Sequence, residues 1–429
     1  MKRFVSIAAL ILLTTVVFGQ KRNVTSCWNY LDDGFLEDAL ESIEKASEHS
    51  KTADWYKTWW YYGRTQHALA ITEKDKYKKL CDSCADKAFD AYIKSLKLNF
   101  EDQEYKNLNL EKDADVMKFV KAVGSSMKEG EPKVEDKQSM VDILTNRLPA
   151  LANYFVNDGI QLFQEKQYAA SLNEFEKSLS ISSLSAFFTG KVDTTVMYYA
   201  SLAAINSKNW EKTLEYSKAL KQLDYGKSID EKVLLTKNLA VAYKNTGDTA
   251  KYIQTLEAGK AEYPDHSYDM VIELFNFNID RKNYEKANDY ISLAIEKNPE
   301  NDKFYVTRGT LNEELDKPKK AIVDYKKALE LNPDNFDANY SLGAYYYNYA
   351  ADTLAWANEN IPPTETQKYE AVKEAAMEYF EKAEPYLEKA YALKNDNVNV
   401  IQTLKTIYYK LQKMDKYEEI DARLKELTE

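Results

Sequence analysis

Residues 302–335, DKFYVTRGTLNEELDKPKKAIVDYKKALELNPDN, constrain the fold of this chain more than any other stretch. Small residues stand at Gly309, Ala321 and Ala328, large ones at Tyr305 and Tyr325, and Pro333 closes the segment. Spacings of four and three put Ala321, Tyr325 and Ala328 on one helix face, while Gly309 lets a partner helix cross closely. Pro333 cannot continue a helix. The 34 residues therefore read as two short helices and a turn. A unit this small hides its apolar side only by stacking on neighbours of its own kind.

The neighbours are present. Units starting at 233, 268, 302 and 336 follow one another at 35, 34 and 34 residues. The first carries Ala240, Tyr243, a Gly247-Asp248 turn, Leu256 and Pro264, and the second Tyr284, Ala287, Ile291, Ala294 and Pro299. The unit at 336 opens with Leu342, Gly343 and Tyr346. Upstream, 152–185 shows Phe155, Gly159, Tyr168 and Phe175, and 194–227 shows Met197, Ser201, Trp210 and Leu214. This pattern resembles the tetratricopeptide repeat, a helix-turn-helix with small residues at its eighth, twentieth and twenty-seventh positions and Pro at the thirty-second. The resemblance implies an all-α fold, an α-solenoid of stacked hairpins forming a right-handed superhelix. Sparse Gly and Pro, 12 and 9, agree with long helices and short turns, and the 33 tyrosines are expected mainly as interhelical knobs.

Departures from the period divide the chain. Degenerate repeats are expected over 20–123, with Ala39, Ile43 and Ala46 in one second helix, Trp59 and Gly63 in a first helix, and Ala88, Tyr92 and Ser95 in its partner. The stretch 124–138, GSSMKEGEPKVEDKQ, lacks apolar periodicity and reads as a charged loop or hinge before a C-terminal array over 139–429. In the unit at 336, Ala383, Leu387 and Ala390 arrive 28 residues late. An insertion at about 350–377 should lengthen both helices, with Pro362 and Pro363 at the turn. Thr364 and Gln367 are expected to form a capping box, and Pro385 a kink or restart. Residues 401–429, with Leu404, Tyr417, Ile420 and Leu424 inside and Lys416, Glu418, Glu419, Arg423 and Lys425 outside, suit a C-terminal cap.

The first residues, MKRFVSIAALILLTTVVFGQ, place Lys2 and Arg3 before an apolar run and read as a signal peptide over 1–19, cut before Gln20. The expectation is an exported protein, periplasmic or secreted. Losing Lys2 and Arg3 moves the formal net charge from −11 to −13, which argues against nucleic acid as a partner. No later apolar run is long enough for a transmembrane span.

Sequence gives no positive case for an enzyme, a cofactor or a metal. Cys81 and Cys84 have the spacing of a redox pair, yet nothing around them reads as the strand that thiol exchange uses. A disulfide is expected between them, leaving Cys27, or between Cys27 and one of the two. His49, His67 and His266 are scattered, and acidic residues interleave with lysine as on solvated helix faces. His67, on the inner side of its helix, is read first as a surface residue and second as a groove contact.

In the resembled family, first helices line a concave groove that holds a peptide or protein partner. Its contact positions fall here on Val156, Ile160 and Phe163; Tyr198, Leu202 and Ile205; Lys237, Lys244 and Asn245; Ile272, Asn276 and Asp280; and Tyr340, Tyr347 and Asn348. Each aliphatic position equally suits packing against the next repeat. The Lys, Asn and Arg constellation by which one variant grips C-terminal carboxylates is absent, since Lys237 and Asn245 share one repeat and the next offers Ile272 and Asn276. The expected function is a non-enzymatic scaffold with a protein or peptide partner. A rival reading is glycan or small-molecule capture on Trp59, Trp60, Tyr61 and Trp356.

Overall fold

The computed structural model describes residues 21–189 and 193–428. The expected signal peptide at 1–19 lies outside them. Among the described residues the regular elements are helical, and the one β feature is an isolated bridge between Phe100 and Val134. The chain is an all-α helical repeat. Numbering starts with α1 over 21–32 and continues with α2 (Leu36–Glu48), α3 (Tyr56–Ala70), α4 (Asp75–Lys78) and α5 (Cys84–Leu98). Next come α6 (Gln103–Lys106), α7 (Asp113–Glu129), α8 (Lys137–Asp142), α9 (Leu148–Gln164), α10 (Tyr168–Thr189), α11 (Thr194–Asn206) and α12 (Trp210–Gln222). The rest are α13 (Ile229–Asn245), α14 (Thr249–Glu262), α15 (Tyr268–Asp280), α16 (Tyr284–Lys297), α17 (Asp302–Glu314), α18 (Pro318–Leu331), α19 (Phe336–Asn360), α20 (Thr366–Leu393), α21 (Val398–Lys410) and α22 (Met414–Thr428).

The defining unit folds as α17 and α18. Ala321, Tyr325 and Ala328 are fully buried, and a Cβ on Gly309 would lie 2.5 Å from the Tyr325 ring. Only glycine leaves room for that ring. The device recurs as Gly63 against Tyr92, Gly159 against Phe175 and Gly343 against Leu387, where an added Cβ would meet the neighbour at 2.6, 2.7 and 2.6 Å.

The turns recur as well. Lys317 N–H donates to Asn312 O at 2.7 Å across Asp316, whose φ is +52°. Equivalent closures run from Gln167 to Leu162, Asn209 to Ala204, Asp248 to Tyr243, Asn283 to Asn278 and Lys413 to Tyr408. Each spans five residues around a left-handed residue, the hydrogen-bond pattern that ends a helix and satisfies its last carbonyls. Glycine fills that position at Gly247, whereas Lys166, Lys208, Lys282, Asp316 and Gln412 adopt it with side chains.

The chain separates into two compact units. Unit one comprises the described part of Met1–Lys227 with Val241–Asp248, and unit two Ser228–Ala240 with the described part of Thr249–Glu429. In unit one, Tyr92, Phe100, Phe119, Met140, Ile143, Leu151 and Phe155 share a core that joins α5, α7 and α9. The sequence reading of 124–138 as an exposed loop needs correcting. Residues 124–129 continue α7, α8 opens at Lys137, and the connection between them is pinned by Glu101 N–H to Lys133 O (3.0 Å), Glu135 N–H to Asn99 O (2.8 Å) and Asn99 Nδ2 to Asp136 O (2.7 Å). The helix hides Ser126 beside Ala122 and Val123, and a buried serine leaves no apolar periodicity to read. Nor does the chain divide there, because the two units part at 227–249. Helix α8 runs into α9 through a π turn at Ile143–Arg147. Pro149 supplies the cause: it has no N–H for the carbonyl four residues back, and its ring crowds that turn.

In unit two, α19 and α20 reach 25 and 28 residues, so the insertion lengthens both members of one hairpin. Gly343 still meets Leu387, now 44 positions on where Gly309 and Tyr325 are 16 apart, so the extra segment leaves the crossing intact. Ala350, Ala357 and Ala376 are fully buried along the added turns, where small side chains let the helices approach. One local expectation fails. The helix begins at Thr366 with no side-chain cap, because Glu365 N–H bonds Pro362 O and extends the proline turn past Thr364. Pro385 sits inside a continuous α20 rather than restarting it.

Tyrosine hydroxyls tie neighbouring helices together. Tyr216 donates to Glu176 (2.7 Å), Tyr252 to Glu273 (2.7 Å) and Tyr408 to Glu388 (2.9 Å), and Tyr290 reaches Glu257. Burial, then the carboxylate partner, pushes these phenols well above the usual tyrosine range.

Candidate partner-binding face

Successive first helices lie side by side in unit two. Lys237 of α13 pairs with Asp269 at the start of α15, and the rings of Tyr268 and Phe304 bring α15 to α17 at 6.4 Å. The repeat register then spaces the outward positions of these helices about one helix width apart. Asn276 and Asp280 of α15, Thr310 and Glu314 of α17 and Asn348 of α19 are exposed along this face. The face is polar and lightly acidic at its middle. Sequence reasoning left out Thr310 and Glu314, although the register that gave Asn276 and Asn348 gives them directly.

The expected groove residues fall into two groups. Lys244, Asn245 and Asn276 are exposed, with the Asn245 amide turned back to Val241 O at 2.8 Å. Phe163 instead packs at 5.1 Å against Tyr168 and joins Val156 and Ile160 against the Phe175 cluster, so here the aliphatic face is interior. Tyr198 is half-buried beside Tyr225 at 5.3 Å. Tyr340 stacks on Phe336 at 6.0 Å and Tyr347 meets Phe380 at 5.7 Å, both against the α19–α21 core. Lys237 is half-buried in its ion pair. Within the set, Lys244 and Asn245 fall in unit one, Lys237 and Asn276 in unit two, so the sequence-defined site does not form one continuous patch in either.

Cys81 and Cys84 are bonded to each other, with Cα atoms 5.3 Å apart, and Cys27 is buried and free. Burial drives the Cys27 thiol up to about 11, leaving it inert as a nucleophile. His67 is buried, not at the surface. Its Nδ1 lies 3.4 Å from the Tyr92 hydroxyl, and burial followed by the charge of Arg147 lowers its pKa to about 4. The indoles of the proposed glycan patch serve the fold: Trp59 Nε1 donates to Ala53 O, and Trp60 Nε1 donates to Asp142 at 3.0 Å. Trp356 remains half exposed on the α19 extension. Among the described residues no group of His, Cys, Asp and Glu could hold a metal ion, and no helix is long and apolar enough to cross a membrane.

Residues 317–348, spanning α18 and the start of α19, match the family model of the TPR repeat. No curated protein matches the chain. Among solved structures it is similar to the C-terminal part of a TPR repeat-containing protein from Cytophaga hutchinsonii, with 14% identity and a TM-score of 0.43 over 64% of this chain and 95% of that one. A TPR repeats protein from Bacteroides fragilis aligns at 21% identity and TM-score 0.26 over 60% of this chain and 98% of its own. YrrB, described as a TPR protein with an unusual peptide-binding site, aligns at 13% identity and TM-score 0.33 over 46% and 93%.

Proposed function

On the premise that this chain is a tetratricopeptide-repeat protein, we propose that it is a non-enzymatic scaffold holding a protein or peptide partner on the first-helix face of unit two. The observation that carries this reading is the run of exposed polar side chains, Asn276, Thr310, Glu314 and Asn348, on consecutive first helices whose other faces are packed away. An extended peptide needs such a row of side-chain donors and acceptors, set at a regular interval and backed by rigid helices. The polar, uneven composition suits a partner read by hydrogen bonds and ion pairs more than by a large apolar anchor.

The proposal includes export, with residues 1–19 as the address. The apolar run behind Lys2 and Arg3 supports it, as does the Cys81–Cys84 bond, since such bonds persist in oxidising compartments. N-terminal sequencing of the protein from its own cells should begin at Gln20; recovery of Met1 in the mature pool would remove the export claim.

Photocrosslinking tests the face itself. A crosslinkable residue placed at Asn276 or Asn348 should capture one defined partner, and the same probe at Asp289, exposed on the second helix α16, should not. Equal capture from Asp289 would contradict the assignment.

A further inference from the structure

A cleft of about 740 Å³ opens in unit two beside the α19–α20 hairpin. Lys326 and Leu329 of α18, Tyr346 of α19, and Lys382, Tyr386 and Lys389 of α20 line it. The Tyr346 and Tyr386 rings stack at 6.1 Å with an interplanar angle of 28°. The lining holds three lysines and neither Asp nor Glu, in a chain where Asp and Glu outnumber Lys and Arg by 69 to 58. Lys389 pairs with Asp334, next to the lining residue Pro333, at 2.5 Å. Lys382 lies 4.5 Å from the Tyr379 ring centroid, and among the described residues neither it nor the exposed Lys326 has an ion-pair partner.

This is a wall of cationic donors around an aromatic floor. Ammonium groups donate and never accept, so the matching ligand must supply acceptors and negative charge. A sugar is a poorer fit, because its hydroxyls also need acceptors. No carboxylate lines the cleft, its side-chain acceptors are limited to the Asn339 amide oxygen and the tyrosine hydroxyls, and the Asn339 amide nitrogen is already spent as a donor to Pro333 O (3.0 Å) and Asn335 O (2.9 Å). The apolar floor in turn needs a nonpolar side chain or ring face. We infer that this cleft docks an acidic peptide segment of a partner protein, its carboxylates meeting Lys326, Lys382 and Lys389 and an apolar side chain resting on Tyr346 and Tyr386. The surface is lined mainly by the second helices α18 and α20, with Tyr346 and Asn339 from α19, and includes none of Asn276, Thr310, Glu314 or Asn348, so it is a second contact, separate from the exposed first-helix face.

Fluorescence anisotropy of the full chain with a labelled hexapeptide of alternating glutamate and leucine tests the inference. The peptide should bind, and its glutamine counterpart should bind about tenfold or more weakly. Affinity should fall as salt rises. The double variant Lys326→Glu, Lys382→Glu changes only exposed side chains and should lose about tenfold or more in affinity with an unchanged urea midpoint. Should that variant unfold, Lys326→Ala, Lys382→Ala serves in its place with the same expected direction. Changes at Asn276 and Asn348 should leave this binding untouched. Equal binding of the two peptides, no binding of either, or full affinity in the charge-reversed chain would overturn the inference. So would a trimer of galacturonate that binds in place of the peptide, which would assign the cleft to an acidic glycan.

Discussion

At the scale of single residues, the fold rests on glycines that meet large side chains. Gly309 against Tyr325 is the sharpest case, since an added Cβ would sit 2.5 Å from the ring. Overpacking of this kind costs about 1–3 kcal/mol, partly offset by the roughly 1 kcal/mol that alanine gains over glycine within a helix. Urea unfolding of Gly309→Ala should show a net loss of about 1–2 kcal/mol, and shortening the ring with Tyr325→Leu in the same chain should make the alanine less costly than in the parent. A fully additive pair would mean that glycine and ring do not compete for space. The turns make the opposite prediction. Lys208, at φ +60°, occupies a region that side chains enter at a cost, so Lys208→Gly should raise stability by up to about 1 kcal/mol. No gain in the urea midpoint would count against that reading.

Ionisable side chains set the pH limits from the same burial. His67, held near pKa 4 by burial, favours its neutral form in the folded chain. Its folded value lies below the ordinary 6.5, so its contribution is whole above that value and lost as pH falls toward 4. The tyrosines that donate to Glu176, Glu273 and Glu388 have raised values, so their contribution is whole below the ordinary value of 10 and lost as pH climbs beyond it. An alkaline titration followed by tyrosinate absorbance and circular dichroism together should show these phenols ionising only as helix is lost. Free titration near 10 with helix intact would contradict their structural role.

At the scale of elements, the hairpins from 233 onward were legible because successive units place their small and large residues in the same register. Even the 28-residue insertion was readable, since Gly343 and Leu387 keep that register on either side of it. What was lost concerned contacts with no local signature. The connection after α7 is held by Asn99 from a distance in sequence, and the π turn at Ile143–Arg147 answers to one proline inside a helix. The candidate face was half legible: periodicity located Asn276 and Asn348, but it could not tell them from Phe163, Tyr340 and Tyr347, whose aromatic neighbours turn them inward. The capping error has its own test. Asn335 caps α19 through Ala338 N–H at 2.9 Å and also holds Asp302 at 2.7 Å, so Asn335→Ala should cost about 1–2 kcal/mol. Thr364→Ala, at a position that caps nothing, should change the midpoint by less than about 0.5 kcal/mol. Equal effects would restore the capping box.

For the whole molecule, most apolar and aromatic side chains are committed to holding neighbouring helices together, and the described residues offer no cluster suited to metal chemistry. What each unit can present to a partner is its helix surfaces, and in unit two the first helices carry the regular row of exposed polar groups. Hydrogen exchange read by mass spectrometry, on the full chain alone and saturated with the partner captured through Asn276, tests this claim most directly, because binding slows the local openings that expose backbone amides. The account predicts slowed exchange in α15, α17 and α19 with α16 and the helices of unit one unchanged. Protection confined to α16 or to unit one would contradict it.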